Sequence, residues 1–144
     1  MIQRIQSLYL LAVVIVNGVL VFVFPLWLDS AKQDFYVMQS FTGENKLLIS
    51  LAIVFVLSAV LAVISLFTFK KRKSQFMLNR LNIIINLYLL GVTLYYVLNL
   101  SGEALVSEKG IGALFPILSI VLLVFANKAI QKDEALVKSV DRLR

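Results

Sequence analysis

Asn79, Asn82, Asn86 and Thr93 follow one another at spacings of three, four and seven residues, and side chains three, four or seven apart share one face of a helix. An amide places two donors and an acceptor on a short, uncharged stem. A stripe of such groups can hydrogen-bond to neighbouring helices, or it can line a path for a polar solute. In apolar surroundings the first role is expected, at about 0.6 to 2 kcal/mol for each bond. Ser58 and Ser65, with Ala62 between them, form a small-residue face able to accept the stripe, and Asn17 with Gly18 can do the same from another segment. The candidate residues for helix contact or for a lined path are therefore Asn17, Asn82, Asn86 and Thr93.

No acid, base or metal ligand accompanies them. The chain has no His and no Cys, which removes the commonest general base, the commonest metal ligand, any thiolate site and any disulfide. Nor does any Asp, Glu, Lys or Arg fall within residues 8–28, 47–69, 81–100 or 110–126 of the long apolar runs described next. Ion-coupled transporters, pumps and intramembrane hydrolases keep an ionisable group at depth, at a cost of about 2.5 kcal/mol or more. Catalytic, cofactor-binding and metal-binding residues are accordingly none, no cofactor is expected, and the chain reads as a non-enzyme.

The elements that must position these amides are apolar segments. Hydrophobic residues make up 60% of the 144-residue chain and charged residues 15%, with a mean hydropathy of +0.93, far from the averages of soluble domains. Four runs, about 8–28, 47–69, 81–100 and 110–130, each approach the roughly 20 residues that cross a hydrocarbon core as a helix. None alternates strictly, which excludes a barrel. The first run is too long for the core of a signal peptide and lacks a small-x-small site, and Pro25 and Trp27 close it. Trp27, Tyr9, Tyr95 and Tyr96 fit interfacial belts. Pro116 falls about a third of the way into the fourth run, where it is expected to bend the helix, with Gly110 and Gly112 loosening its start. The expected fold is all-α: a single integral membrane four-helix bundle over residues 1–144, built as two transmembrane hairpins.

Basic residues give the direction, because Lys and Arg are retained on the cytoplasmic side during insertion. Of the 14 basic residues, only Lys32, Lys46 and Lys109 lie on one side of the four runs; the others precede the first run, follow the fourth, or cluster at Lys70, Lys71, Arg72, Lys73 and Arg80. Both termini are thus expected in the cytoplasm. The formal charge of +6 and pI near 9.7 gather at the ends of apolar runs and not along a polar face, so nucleic acid is not an expected partner. Lys70 to Lys73 is instead a candidate contact for anionic lipid headgroups, at about 1 kcal/mol per basic residue. The loop 29–46 contains Phe35-Tyr36-Val37-Met38; it is expected to lie at the outer interface or cap the bundle, as a strand or as a helical turn.

After Ala126 no Gly or Pro stops a helix. Residues 131–144 therefore read as a cytoplasmic extension, with Leu136, Val140 and Leu143 on one face and Glu134 paired with Lys138 at i and i+4. That face is a candidate dock for a cytoplasmic or membrane protein, or for a second copy of the chain. A short echo, Ser7-Leu-Tyr-Leu-Leu-Ala-Val13 against Asn86-Leu-Tyr-Leu-Leu-Gly-Val92, leaves open a duplication of the two hairpins.

The start, Met1-Ile-Gln-Arg-Ile-Gln-Ser-Leu-Tyr-Leu-Leu11, and the finish, Ala129-Ile-Gln-Lys-Asp-Glu-Ala-Leu-Val-Lys-Ser-Val-Asp-Arg-Leu-Arg144, resemble a family of small bacterial membrane proteins, the domain of unknown function 4293. The resemblance extends over the whole length, and the mixed-charge tail is its most specific part. It implies a multi-pass protein of the bacterial cytoplasmic, or inner, membrane and assigns no substrate, cofactor or catalytic residue. The function expected from all of this is that of an accessory or assembly subunit acting through membrane and cytoplasmic-face contacts. The alternative is a small oligomeric transporter or channel with the Asn/Thr face of the third helix along its path.

Overall fold

Where lipid replaces water, an isolated segment must satisfy its backbone hydrogen bonds internally, and a helix does so. The computed structural model describes residues 5–28, 33–100 and 111–143. It contains four long helices: α1 (Ile5–Val23), α2 (Lys46–Phe67), α3 (Arg72–Leu100) and α4 (Phe115–Arg142), each long and apolar enough to cross a membrane. α1 packs against α2 and α4, and α3 packs against the same two, so α1 and α3 stand on opposite sides of the bundle axis. Gln6 meets Gln75 and Asn17 meets Asn86 at a constant separation of 69 residues, as required of helices running in the same direction. Between α2 and α3 the separation shrinks from 24 at Ser58 and Asn82 to 14 at Ser65 and Asn79, which makes those two antiparallel. The duplication suggested by the echo would superpose residues 7 and 86, a different offset from the one that sets α1 level with α3 across the axis.

α1 stops sooner than its apolar run. Phe24 is extended, at φ −98° and ψ 144°, because the ring of Pro25 disfavours the helical region for the residue before it. The 19 residues that remain still reach about 28 Å. One turn of α1, Val16–Leu20, is a π-helix, in which the Val21 N–H bonds to the Val16 carbonyl. Beyond Pro25 the chain forms strand β1 (Trp27–Leu28), which pairs antiparallel with β2 (Asp34–Phe35). A 3-10 turn then runs over Val37–Phe41, so the loop contains both a strand and a helical turn. Leu26 and Val37 are fully buried against Phe55, Tyr96 and Phe115, and this segment caps one end of the bundle.

α3 begins well before its apolar run, at Arg72, because Lys, Arg and Gln are good helix formers. The link to α2 is therefore a tight turn, held where Thr68 donates from its Oγ1 to the Ile64 carbonyl at 2.6 Å and Lys71 N–H bonds to the Thr68 carbonyl at 3.0 Å. Lys70 and Lys71 ride on that turn. Arg72 and Lys73 open the helix, and the Arg80 guanidinium lies 4.4 Å from the centroid of the Phe76 ring.

The expected bend at Pro116 is corrected. α4 starts at Phe115, so Pro116 occupies its first turn, where the missing N–H would have had no partner and the fixed φ suits the helix. A 3-10 turn, Ile111–Leu114, separates it from the residues before. Tyr96 also departs from the belt: it is buried, and its hydroxyl accepts from Asn45 Nδ2 at 3.1 Å. Asn45 caps α2 at the same time, its Oδ1 accepting the Leu47 N–H at 3.1 Å. Tyr95 remains exposed. Asp29, Lys32, Lys109, Gly110 and the side chain of Trp27 fall outside the described residues.

Beside its buried apolar clusters, the bundle exposes many large apolar side chains and buries polar ones. Leu8, Ile84, Leu98 and Phe67 are exposed, whereas Asn17, Ser58, Asn79, Asn86, Thr93 and Ser119 are fully buried. Polar residues are mostly exposed in soluble folds; here these share the interior with the apolar clusters.

Candidate functional site

Asn17 of α1 holds the centre of the bundle. Its Nδ2 donates to Ser58 Oγ at 2.7 Å and across the axis to Asn86 Oδ1 at 3.1 Å, while its Oδ1 accepts from Ser119 Oγ of α4 at 2.8 Å. Ser58 Oγ in turn donates to Asn82 Oδ1 at 2.5 Å and accepts from Asn86 Nδ2 at 2.9 Å. Asn82 Nδ2 donates to the Ser58 carbonyl at 3.1 Å, and Asn86 Nδ2 also reaches the Asn82 carbonyl at 2.8 Å. A hydroxyl offers one donor and two lone pairs; for Ser58 all three are engaged. Every side-chain polar atom of this layer has a partner, and each of the four helices contributes.

The layer lies between two apolar clusters. On one side are Val21, Leu51, Phe55, Leu89 and Phe115; on the other are Leu10, Val13, Ala62, Leu123 and Ala126. Gly18, beside Asn17, allows α1 to approach α2: a Cβ added there would stand 3.4 Å from that of Ala59. Thr93 does not join the layer. It is buried, but its Oγ1 donates to the Leu89 carbonyl of its own helix at 2.6 Å.

Nearer Lys70, a second polar group forms. Ser65 Oγ donates to Asn79 Oδ1 at 2.6 Å, Gln75 Nε2 donates to the Ser65 carbonyl at 3.0 Å, and Gln6 Nε2 makes a long contact of 3.4 Å with Gln75 Oε1. Gln6 Oε1, Asn79 Nδ2 and Asn127 Oδ1 of α4 are buried without a hydrogen-bond partner among the described residues. Buried polar atoms in this state take up an ordered water where space allows.

Sequence reasoning missed Ser119, Gln6, Gln75 and Asn127. Ser119 is a lone hydroxyl in an apolar run, with no periodic companion. Gln75 lay outside the apolar stretch, and extending α3 back to Arg72 was the signal needed to include it. Amides and hydroxyls do not titrate near neutral pH, so the layer can join helices but cannot carry a proton as an acid or base. Among the described residues no group of three His, Cys, Asp or Glu could hold a metal ion.

The charged candidates are at the surface. Lys70, Lys71 and Lys73 are exposed and Arg72 half-buried, all along a cleft whose other side includes Glu134 and Lys138 of α4. Glu134 and Lys138 form an ion pair at 3.2 Å. Leu136, Val140 and Leu143 are 57%, 58% and 89% exposed, uncovered by any part of the described chain.

No curated protein and no solved structure matches this chain. A family described as Domain of unknown function (DUF4293) does, over residues 2–143. That stretch takes in all four helices, the polar layer they share and the charged end of α4, and the chain belongs to this family.

Proposed function

We propose that this protein is a non-enzymatic, multi-pass protein of the bacterial cytoplasmic membrane, with both termini in the cytoplasm, acting by contact as an accessory or assembly subunit. The observation that carries the reading is the closed polar layer. Its amides and hydroxyls bind one another, whereas the basic turn and the apolar face of α4 around Leu136 and Val140 are exposed and open to a partner. A solute path along Asn82, Asn86 and Thr93 would need polar atoms free to exchange with the solute, and these are engaged with each other or with their own backbone. The apolar exterior supports lipid as the solvent, and the basic clusters support the sidedness.

Tagged protein extracted in mild detergent is expected to retain a reproducible partner, and deletion of Lys132 to Arg144 is expected to release it. Retention of the same partner after the deletion, or a clean monomer under several extraction conditions, would end this reading. Sidedness is tested separately. Because the chain has no Cys, Ser74→Cys and Ser139→Cys can be labelled without background. Both are expected to react with an impermeant thiol reagent only after the cells are opened; reaction in intact cells would invert the topology.

A further inference from the structure

The turn joining α2 to α3 and the facing side of α4 flank an open cleft of about 650 Å³. Lys70, Lys71, Arg72 and Lys73 line it from the turn, Glu134 and Lys138 from α4. We propose that this cleft is a site for the phosphate headgroup of one anionic lipid, with the C-terminal helix as its second wall. The inference rests on the membrane placement proposed above, and it adds a discrete ligand site to it.

Charge selects the chemistry. Five of the lining side chains are cationic and one is a carboxylate, and that carboxylate is already paired with Lys138 at 3.2 Å. The cleft therefore keeps a strong positive excess with its acidic group held by a cation. The second wall comes from residues more than 60 positions away in the chain, so the site exists only when α4 continues as a helix beyond the apolar stretch.

The surroundings select a lipid over a soluble phosphate. Phe67, Phe69 and Met77, at and beside the turn, are 77%, 40% and 71% exposed. Apolar side chains of this size beside a basic cleft place it where acyl chains give way to headgroups, and basic residues at that level bind anionic lipid. Phe69 and Val137 also line the cleft, giving the glycerol end of a lipid an apolar contact.

The test uses the full chain in phosphatidylcholine nanodiscs doped with phosphatidylglycerol, with lipid retention read by native mass spectrometry. One phosphatidylglycerol is expected to remain bound. Lys138→Ala should weaken retention about fivefold, and Lys71→Ala with Lys73→Ala about 25-fold, at the usual strength per basic residue. Lys132→Ala, the same loss of charge on the same helix outside the cleft, should change it less than about twofold. Glycerol 3-phosphate in excess should not displace the lipid. None of these substitutions enters the buried bundle, and unchanged thermal unfolding confirms folding of each variant. If Lys132→Ala weakens retention as much as Lys138→Ala, the attraction is diffuse and the site is refuted. Displacement by glycerol 3-phosphate would refute the lipid assignment. Partner loss on tail deletion with no response to Lys138→Ala would overturn the cleft and leave the accessory role standing; the opposite pattern would do the reverse.

Discussion

Ser58→Ala is expected to lower the stability of the folded bundle by about 2 kcal/mol, although it removes a single oxygen. That oxygen donates to Asn82 Oδ1 and accepts from Asn17 Nδ2 and Asn86 Nδ2, and a side-chain hydrogen bond between membrane helices averages about 0.6 kcal/mol. Asn86 Nδ2 retains the Asn82 carbonyl and Asn17 Nδ2 retains Asn86 Oδ1, which prevents a larger loss. Thr93→Val supplies the contrast. Its hydroxyl serves only the Leu89 carbonyl of its own helix, so it should cost less than about 0.5 kcal/mol. Reversible unfolding in mixed micelles, followed by helix content and by a steric trap, measures both. Equal losses for Ser58→Ala and Thr93→Val would show that the layer does not hold the helices together. The double variant Ser58→Ala with Asn82→Ala should cost less than the sum of the singles, since both remove one shared bond.

Such a layer has a physical role that apolar packing cannot fill in lipid. Helix surfaces and acyl chains are equally apolar, so burying Leu against Leu gives little preference for one neighbour or register over another. A donor without its acceptor in hydrocarbon is costly. The Asn17 amide bonds at once to α2, α3 and α4, and sliding α1 by one turn would break all three contacts. The apolar clusters on either side then fill space around a register that the amides have set.

How much of this was legible in the sequence depends on which solvent wrote the pattern. The spacing of Asn79, Asn82 and Asn86 is a helical period, and Ser58 and Ser65 repeat at seven, so two sides of the layer could be read directly. Asn17, with Gly18, stood out only as a lone amide able to meet the stripe from another segment, and it bonds to Ser58 and Asn86. Ser119 could not be read, because one hydroxyl in an apolar run has no periodicity. Helix boundaries failed for a related reason: hydropathy marks where lipid begins, and helices ignore that line. α3 starts among charged residues at Arg72, and α4 starts only at Phe115 although its apolar run opens at Gly110. The π-helical turn at Val16–Leu20 leaves no trace in composition.

Gly112→Ala is expected to cost more than alanine at any other described glycine, about 2 to 4 kcal/mol. A Cβ at that position would stand 2.7 Å from the Pro25 carbonyl oxygen, 2.9 Å from Leu26 Cδ2 and 3.1 Å from Leu26 Cα. Two of those atoms are backbone and cannot rotate aside. Retreat is blocked as well, because the Gly112 N–H donates to the Pro25 carbonyl at 2.9 Å, and moving away forfeits that bond. Overpacking costs about 1 to 3 kcal/mol and the lost hydrogen bond about 1 kcal/mol more. The sequence suggested that Gly112 loosens the start of the fourth helix. The structure shows the opposite role, a close approach that docks the turn before α4 onto the end of α1 and brings Leu26 into the core with Phe115. Gly91→Ala is the control, since nothing lies within 4 Å of a Cβ there; in mid-helix it should be neutral or stabilising by up to about 1 kcal/mol. The same unfolding measurement separates the two, and equal behaviour of the two alanines would mean that the cap over this end of the bundle carries no stability.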